Sequence, residues 1–228
     1  MVSLNKLTII KNPEKQFHEE WTKKRTKLNF PHPFRSIISG PPNSGKTNIV
    51  KNIVLHQGMD GTNGIFDKIL LVHCNGDSTI EYTDCVDEIL PEIPPVEYWA
   101  DKDINQKVLF IIEDISFKLL SKQEKENLKR LYGNVSTHKG VSTIITCQSL
   151  YDIDDPLIRR CTNLFILFPC NDNTYNKITS RKIGLPPDDL ERLFRDHCKS
   201  THDSIWIDNT GNNTSPYPIR LNGFDIIK

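Results

Sequence analysis

Five short apolar runs recur along the chain, each followed by a polar stretch long enough for a helix or an extended connection. They are Pro33-Phe34-Arg35-Ser36-Ile37-Ile38-Ser39, residues 68–74, residues 108–112, residues 141–147 and residues 163–168. Val108-Leu109-Phe110-Ile111-Ile112 is apolar at every position, as a strand buried on both faces of a parallel sheet must be. Between the runs the period changes. Residues 47–54 place apolar side chains at 49, 50, 53 and 54, the spacing of one helix face. Tyr82 to Leu90 reads as a further short helix. Ser121 caps a charged helix reaching to about Val135, with Glu124 at the capping-box position. Two more helices follow, at 172–182 and 187–198, split by Gly184-Leu185-Pro186. Runs at 204–208 and 217–221 close the chain as an antiparallel pair joined by a turn at 210–215. Strands alternating with helices predict an α/β fold with a mostly parallel sheet covered on both faces.

The first strand feeds Gly40-Pro41-Pro42-Asn43-Ser44-Gly45-Lys46-Thr47, which satisfies the phosphate-loop pattern G-x-x-x-x-G-K-[ST] at every fixed position. Strand, glycine-bearing loop and helix start point backbone N–H groups and a helix dipole at a polyphosphate. Lys46 is expected to reach the β- and γ-phosphates, and Thr47 to hold Mg²⁺ through its hydroxyl. The alternative for the string alone is an ordinary turn before a helix.

At 228 residues the chain accommodates one α/β domain, residues 31–228, preceded by a polar arm at 1–30. Lysine plus arginine and aspartate plus glutamate are both 29, so net charge gives no global nucleic-acid signature. The arm departs from that balance, with seven basic residues, Lys23, Lys24, Arg25 and Lys27 among them, against three glutamates. No apolar run has the length of a membrane span or of a signal peptide's core, so an intracellular, non-secreted protein is expected. The six cysteines are dispersed without a C-x-x-C pair and fit a reduced compartment.

The buried third strand ends in Glu113-Asp114. Paired carboxylates at a strand tip beside a phosphate loop suit phosphoryl transfer, one holding Mg²⁺ and the other polarising the attacking water. The commoner order is Asp then Glu, so the division of labour is open, and both are candidate metal ligands with Thr47. The fourth strand ends in Thr146-Cys147-Gln148, where the Gln148 amide offers donor and acceptor to a γ-phosphate or water. Asp154-Asp155-Pro156-Leu157-Ile158-Arg159-Arg160 precedes the fifth strand. Arg159 and Arg160 either reach a neighbouring subunit's γ-phosphate as a finger or pair with the two aspartates. From these residues alone, the chain is a Mg-dependent NTPase with an ASCE-type, RecA-like P-loop core. The absence of an Asn-Lys-x-Asp motif favours ATP.

The ordered set of Pro-Phe-Arg, the loop at 40–47, the acids at 113–114 and Thr137-His138-Lys139-Gly140 before a strand ending at Gln148-Ser149-Leu150, then the arginines and Asn-Leu-Phe-Ile-Leu-Phe, resembles a known group. It is similar to genome-packaging ATPases of the FtsK/HerA superfamily, in particular the poxvirus-type group of large DNA viruses, virophages and Polinton-like elements. The likeness spans about residues 30–221. The Glu-Asp order and the lack of an arginine in Pro169-Cys170-Asn171-Asp172 depart from it. The resemblance implies an oligomeric ring of ATPases driving double-stranded DNA into a preformed capsid. Its expected partners are DNA, further copies of the chain and a capsid or portal protein, at virion assembly sites in host cytoplasm or nucleus. It also implies that Gln148 senses the γ-phosphate and that one of Arg159 and Arg160 acts between subunits. A small P-loop kinase, with residues 172–198 as its lid, and a nucleotide-switch binding protein are the competing readings.

Overall fold

In the computed structural model, the described residues are 32–57, 65–73, 82–209, 219–223 and 225–227. The basic arm, Cys74 and the turn at 210–215 lie outside them. The strands are β1 (Arg35–Ser39), β2 (Lys68–His73), β3 (Glu88–Leu90), β4 (Val108–Glu113), β5 (Val141–Cys147), β6 (Leu164–Leu167), β7 (Ile205–Asp208), β8 (Ile219–Leu221) and β9 (Asp225–Ile226). They form one sheet in the order β3-β2-β4-β5-β1-β6-β7-β8-β9. Pairing is parallel from β3 through β6 and antiparallel from β6 through β9. The expected mostly parallel sheet with an antiparallel C-terminal pair is present, with β9 added beyond it.

The helices are α1 (Lys46–Gln57), α2 (Lys122–Arg130), α3 (Pro156–Cys161), α4 (Asn173–Lys182) and α5 (Asp189–His197). Side-chain caps explain where two of them begin, the first as predicted. Ser121 Oγ accepts from the Glu124 amide at 3.1 Å, and the Ser121 amide donates to Glu124 Oε2 at 2.9 Å. This reciprocal box closes two of the orphan donors at the α2 start. Asp155 caps α3 in the same way, accepting from the Leu157 and Ile158 amides. Beyond Arg130 the helix continues through a π turn at Leu131–Val135 to His138.

Side-chain alternation along β4 divides the core between the two sheet faces. Val108, Phe110 and Ile112 join one apolar cluster with residues of α2, the π turn, α3 and α5. Leu109 and Ile111 join the other, with Val50, Ile53 and Val54 of α1, Tyr82 and Trp206. All six residues of β4 are buried, the five apolar ones as a strand covered on both faces must be and Glu113 with them at its end.

The helix expected at Tyr82–Leu90 is corrected. Residues 88–90 instead form the edge strand β3, in parallel register with β2. Polar groups at its start decide this outcome. Asp87 Oδ2 accepts from the Ile69 amide at 2.6 Å, and Lys68 pairs with Glu88 at 2.6 Å. Those bonds fasten the segment to β2 before a helical ladder can form.

Candidate nucleotide site

Parallel register brings the C-terminal tips of β1, β4 and β5 side by side. Ile38 is level with Thr146 and Ser39 with Cys147, while Ile112 is level with Ile145. The loop at 40–47 springs from the β1 tip, the two acids from β4, and Gln148 from β5. Polar residues that the sequence separates by more than a hundred positions therefore meet at one edge of the sheet.

Backbone conformation at the loop follows from its residues. A Cβ on Gly40 would stand 2.6 Å from Phe168 Cβ and 2.9 Å from Ser44 Oγ, so only glycine fits beneath β6. Asn43 and Gly45 have φ of +60° and +103°, a left-handed geometry that asparagine tolerates and glycine favours. Pro41, Pro42 and Asn43 are exposed, while Ser44 is buried with no hydrogen-bond partner for its hydroxyl among the described residues. Lys46 opens α1 and folds its ammonium back onto the Gly40 and Pro41 carbonyls at 2.8 and 2.9 Å. Burial pulls its pKa down, against the opposing charge of Asp114. A phosphate would replace carbonyl dipoles with a full charge for this cation.

Across the loop, Thr47 Oγ1 donates to Glu113 Oε1 at 3.1 Å. Thr146 Oγ1 donates to Glu113 Oε2 at 2.8 Å and accepts from the Asp114 amide at 2.7 Å. Both oxygens of Glu113 are thus acceptors, the pattern of an ionised carboxylate. Asp114 ends the strand with φ of +51°, a left-handed backbone geometry uncommon outside glycine. The two acids occupy different environments. Glu113 is buried and fixed by two hydroxyls, and Asp114 lies half-exposed at a sharp backbone turn.

Hydroxyl and carboxylate oxygens at Thr47, Glu113 and Asp114 make a hard-donor set that fits Mg²⁺. Gln148 sits exposed just past the β5 tip, on the same edge. Arg159 and Arg160 are not brought to this edge. They lie on α3, whose last residue Cys161 accepts a hydrogen bond from Arg35 Nε at the opposite end of β1. Arg159 Nη1 donates to the Ile153 carbonyl at 2.8 Å and lies 3.8 Å from Asp154. Asp155 pairs instead with Lys129 at 3.1 Å. Arg160 is exposed and makes no hydrogen bond or ion pair among the described residues.

Three residues near the loop were not anticipated as site residues. Thr146 links the two acids, and its place in Thr146-Cys147-Gln148 was the available signal. Tyr82 is 1% exposed, and its phenol lies beside Thr47 and Glu113 without reaching full hydrogen-bond geometry to either. Burial and the Glu113 charge push that phenol's pKa up. His202 Nδ1 contacts the Ser44 carbonyl at 3.2 Å. No sequence pattern pointed to Tyr82 or His202 at this position.

The loop leaving β1, the acids at the β4 tip and β5 inserted between those two strands define the P-loop NTPase fold of ASCE, RecA-like type. Solved structures share it. One is B204, the DNA-packaging ATPase from Sulfolobus turreted icosahedral virus, with TM-score 0.59, 16% identity, 86% of this chain and 100% of that chain covered. A second is the genome packaging NTPase B204 of Sulfolobus turreted icosahedral virus 2 in complex with ATP-gammaS, with TM-score 0.55, 13% identity and coverage of 86% and 98%. The cytoplasmic domain of the type VII secretion ATPase EccC of Thermomonospora curvata also superposes, at TM-score 0.54 and 14% identity, over 85% of this chain and 25% of that one. These likenesses are of fold. No protein-family model and no curated protein sequence matches the chain.

Proposed function

We propose that the chain is a Mg-dependent ATP hydrolase acting as the ring motor that packages double-stranded viral DNA into a preformed capsid. The observation that carries the hydrolase reading is the hydrogen bond from Thr47 to Glu113. It joins the phosphate loop to the carboxylate strand, so that one cation would contact both. Thr47 and Glu113 would hold Mg²⁺ there, and the ion would supply positive charge against that developing on the terminal phosphates. Lys46 would leave the Gly40 and Pro41 carbonyls for the phosphates. Glu113, fixed by Thr47 and Thr146, would take the metal side. Asp114, just past the strand end, would orient and deprotonate the attacking water, and Gln148 would face the γ-phosphate. Relative to the commoner Asp-Glu order, the roles then follow position rather than residue type.

The packaging reading rests on the fold shared with viral packaging NTPases across nearly their whole length. It also rests on the ordered set of motifs in the sequence. The kinase alternative needs residues 172–198 to work as an opening lid. Leu190 and Phe194 of α5 are buried in the main apolar cluster, which suits a fixed helical pair better. In a ring, Arg160 is the better finger, since Arg159 is already held by its own chain. Host assembly sites, where capsid or portal and DNA meet, are the expected place of action.

ATP turnover of the purified chain, with and without duplex DNA, tests the proposal when combined with mass measurement in an ATP analogue. Turnover stimulated by DNA and a closed oligomer are expected. Hydrolysis indifferent to DNA, by a monomer, would leave an NTPase and remove the motor.

A further inference from the structure

Cys198 through Ser204, between α5 and β7, is a short connection with an unusual density of internal hydrogen bonds. Asp203 Oδ2 accepts from the Lys199 and Ser200 amides at 2.7 and 2.8 Å. Asp203 Oδ1 accepts from Asn222 Nδ2 at 2.9 Å, at the end of β8. Asn222 Oδ1 in turn accepts from the Ser204 amide at 2.8 Å, and the Asn222 amide donates to the Ser204 carbonyl at 2.9 Å. The connection is therefore stapled to the C-terminal strands at both ends of Asn222. His202 rides on it, its amide donating to Ser200 Oγ at 3.2 Å.

From this platform the His202 ring reaches the phosphate loop. A carbonyl only accepts, so the contact at 3.2 Å has Nδ1–H donating to the Ser44 oxygen. The peptide joining Ser44 to Gly45 is planar and trans, so its C=O and N–H point in opposite directions. Holding the carbonyl outward toward His202 aims the Gly45 N–H inward, into the concavity where such a loop receives phosphate. Gly45, at φ of +103° and without a Cβ, imposes little resistance to rotation of that peptide. An external anchor is what selects one orientation.

We propose that His202 is a positioning residue for the phosphate loop, and that it couples the antiparallel C-terminal strands to polyphosphate affinity. The inference rests on the loop's being a nucleotide site, but it concerns a residue that no phosphate-loop pattern contains. The C-terminal strands then do more than extend the sheet. Phe168 at the end of β6 roofs Gly40, and His202, carried beside β7 and β8, orients Gly45.

The test uses the full chain, a fluorescent ADP analogue and hydrogen exchange of the loop amides. His202→Ala is expected to weaken binding about fivefold, the size of one lost hydrogen bond at a preorganised site, and to speed exchange in the free protein at Ser44, whose amide donates to the Pro41 carbonyl. His202→Asn places an amide N–H where Nδ1–H stood and should restore affinity to within about twofold. Asn222→Ala, remote from the loop, should also weaken binding by loosening the platform. Unchanged affinity and exchange in His202→Ala would overturn the proposal, as would His202→Asn binding no better than His202→Ala. Wild-type protein that binds the analogue no better than Lys46→Ala would overturn the nucleotide reading itself. The exchange measurement needs no ligand and separates the two failures.

Discussion

The two ends of the parallel strands differ in what their polar residues are joined to. At the N-terminal end several side-chain groups tie neighbouring strands together, although the buried Ser36 and Thr143 hydroxyls have no hydrogen-bond partner among the described residues. Ser142 Oγ accepts from the Phe34 amide at 3.1 Å and bonds His32 Nδ1 at 2.8 Å. Asn163 Oδ1 accepts from the Arg35 amide at 2.8 Å, and Arg35 itself donates to Thr137 Oγ1 at 2.8 Å. At the C-terminal tips the pattern changes. Lys46 rests on its own loop's carbonyls, Ser44 Oγ and the Tyr82 phenol lack hydrogen-bond partners among the described residues, and Asn43, Gly45 and Asp114 adopt positive φ. Buried polar groups left short of partners cost free energy, and only at the C-terminal tips do they coincide with the phosphate loop, its lysine and three positive φ values. One end closes the structure and the other is built to receive something.

Arg160 tests that division hardest, because it lies toward the closed end yet stays unengaged among the described residues. A finger supplied by a neighbour is commonly worth about a thousandfold in turnover. Arg160→Ala is expected to lose hydrolysis on that scale while nucleotide affinity holds. If the proposed ring forms, Arg160→Ala chains mixed with wild-type protein should suppress activity beyond their share. Arg159→Ala should act mainly on stability, through loss of its bond to Ile153. Activity falling only in proportion to wild-type content would return Arg160 to the solvated surface.

The acids sharpen the comparison within the open end. Glu113→Gln and Asp114→Asn should each reduce ATP turnover at least a hundredfold, as should Lys46→Ala by uncovering phosphate charge. The two carboxylate variants should separate in binding. Glu113 is the acid that Thr47 touches, so Glu113→Gln should raise the Mg²⁺ concentration needed for tight ATP binding. Asp114→Asn should trap Mg·ATP without cleaving it. The reverse outcome, with Glu113→Gln holding Mg·ATP tightly, would restore the usual assignment by residue type. Normal turnover in both would make the pair a strand cap.

Much of this architecture was legible because local signals agreed. The all-apolar run at 108–112 became the central strand β4, the Ser121–Glu124 spacing became a real capping box, and the loop at 40–47 sat between strand and helix as its pattern requires. Failure came at residues 82–90, where Val86, Ile89 and Leu90 suit a short helix face about as well as a strand. Long-range bonds from Asp87 and Glu88 to β2 settled that choice, and sequence does not reveal such partners. The same reason hid His202 and Tyr82. Each reaches the loop only through tertiary packing of a segment with no motif of its own. Thr146 stood within the segment expected to matter, but a strand's final hydroxyl competes poorly for attention beside a glutamine.

His32 carries the smallest expected effect and probes the closed end alone. It is 6% exposed, and burial together with Lys107 and Lys102 lowers its pKa from 6.5 to about 3. The hydrogen bond to the Gly140 backbone and the charge of Asp67 oppose that shift without cancelling it. Between those two values the unfolded chain binds a proton that the folded chain does not, so stability rises with pH across that window. The contribution is complete above pH 6.5 and is lost as pH falls toward 3. Each pH unit inside the window should remove up to about 1.4 kcal/mol. Urea unfolding at pH 7 and pH 5 is therefore expected to show a loss of about 2 kcal/mol from this group, while neighbouring carboxylates remain largely ionised. His32→Asn keeps an acceptor for Ser142 and does not titrate. It should be less stable than wild type at pH 7, yet should lose less between the two pH values. Equal losses in both proteins would mean that His32 is not a protonation-sensitive part of the closed end.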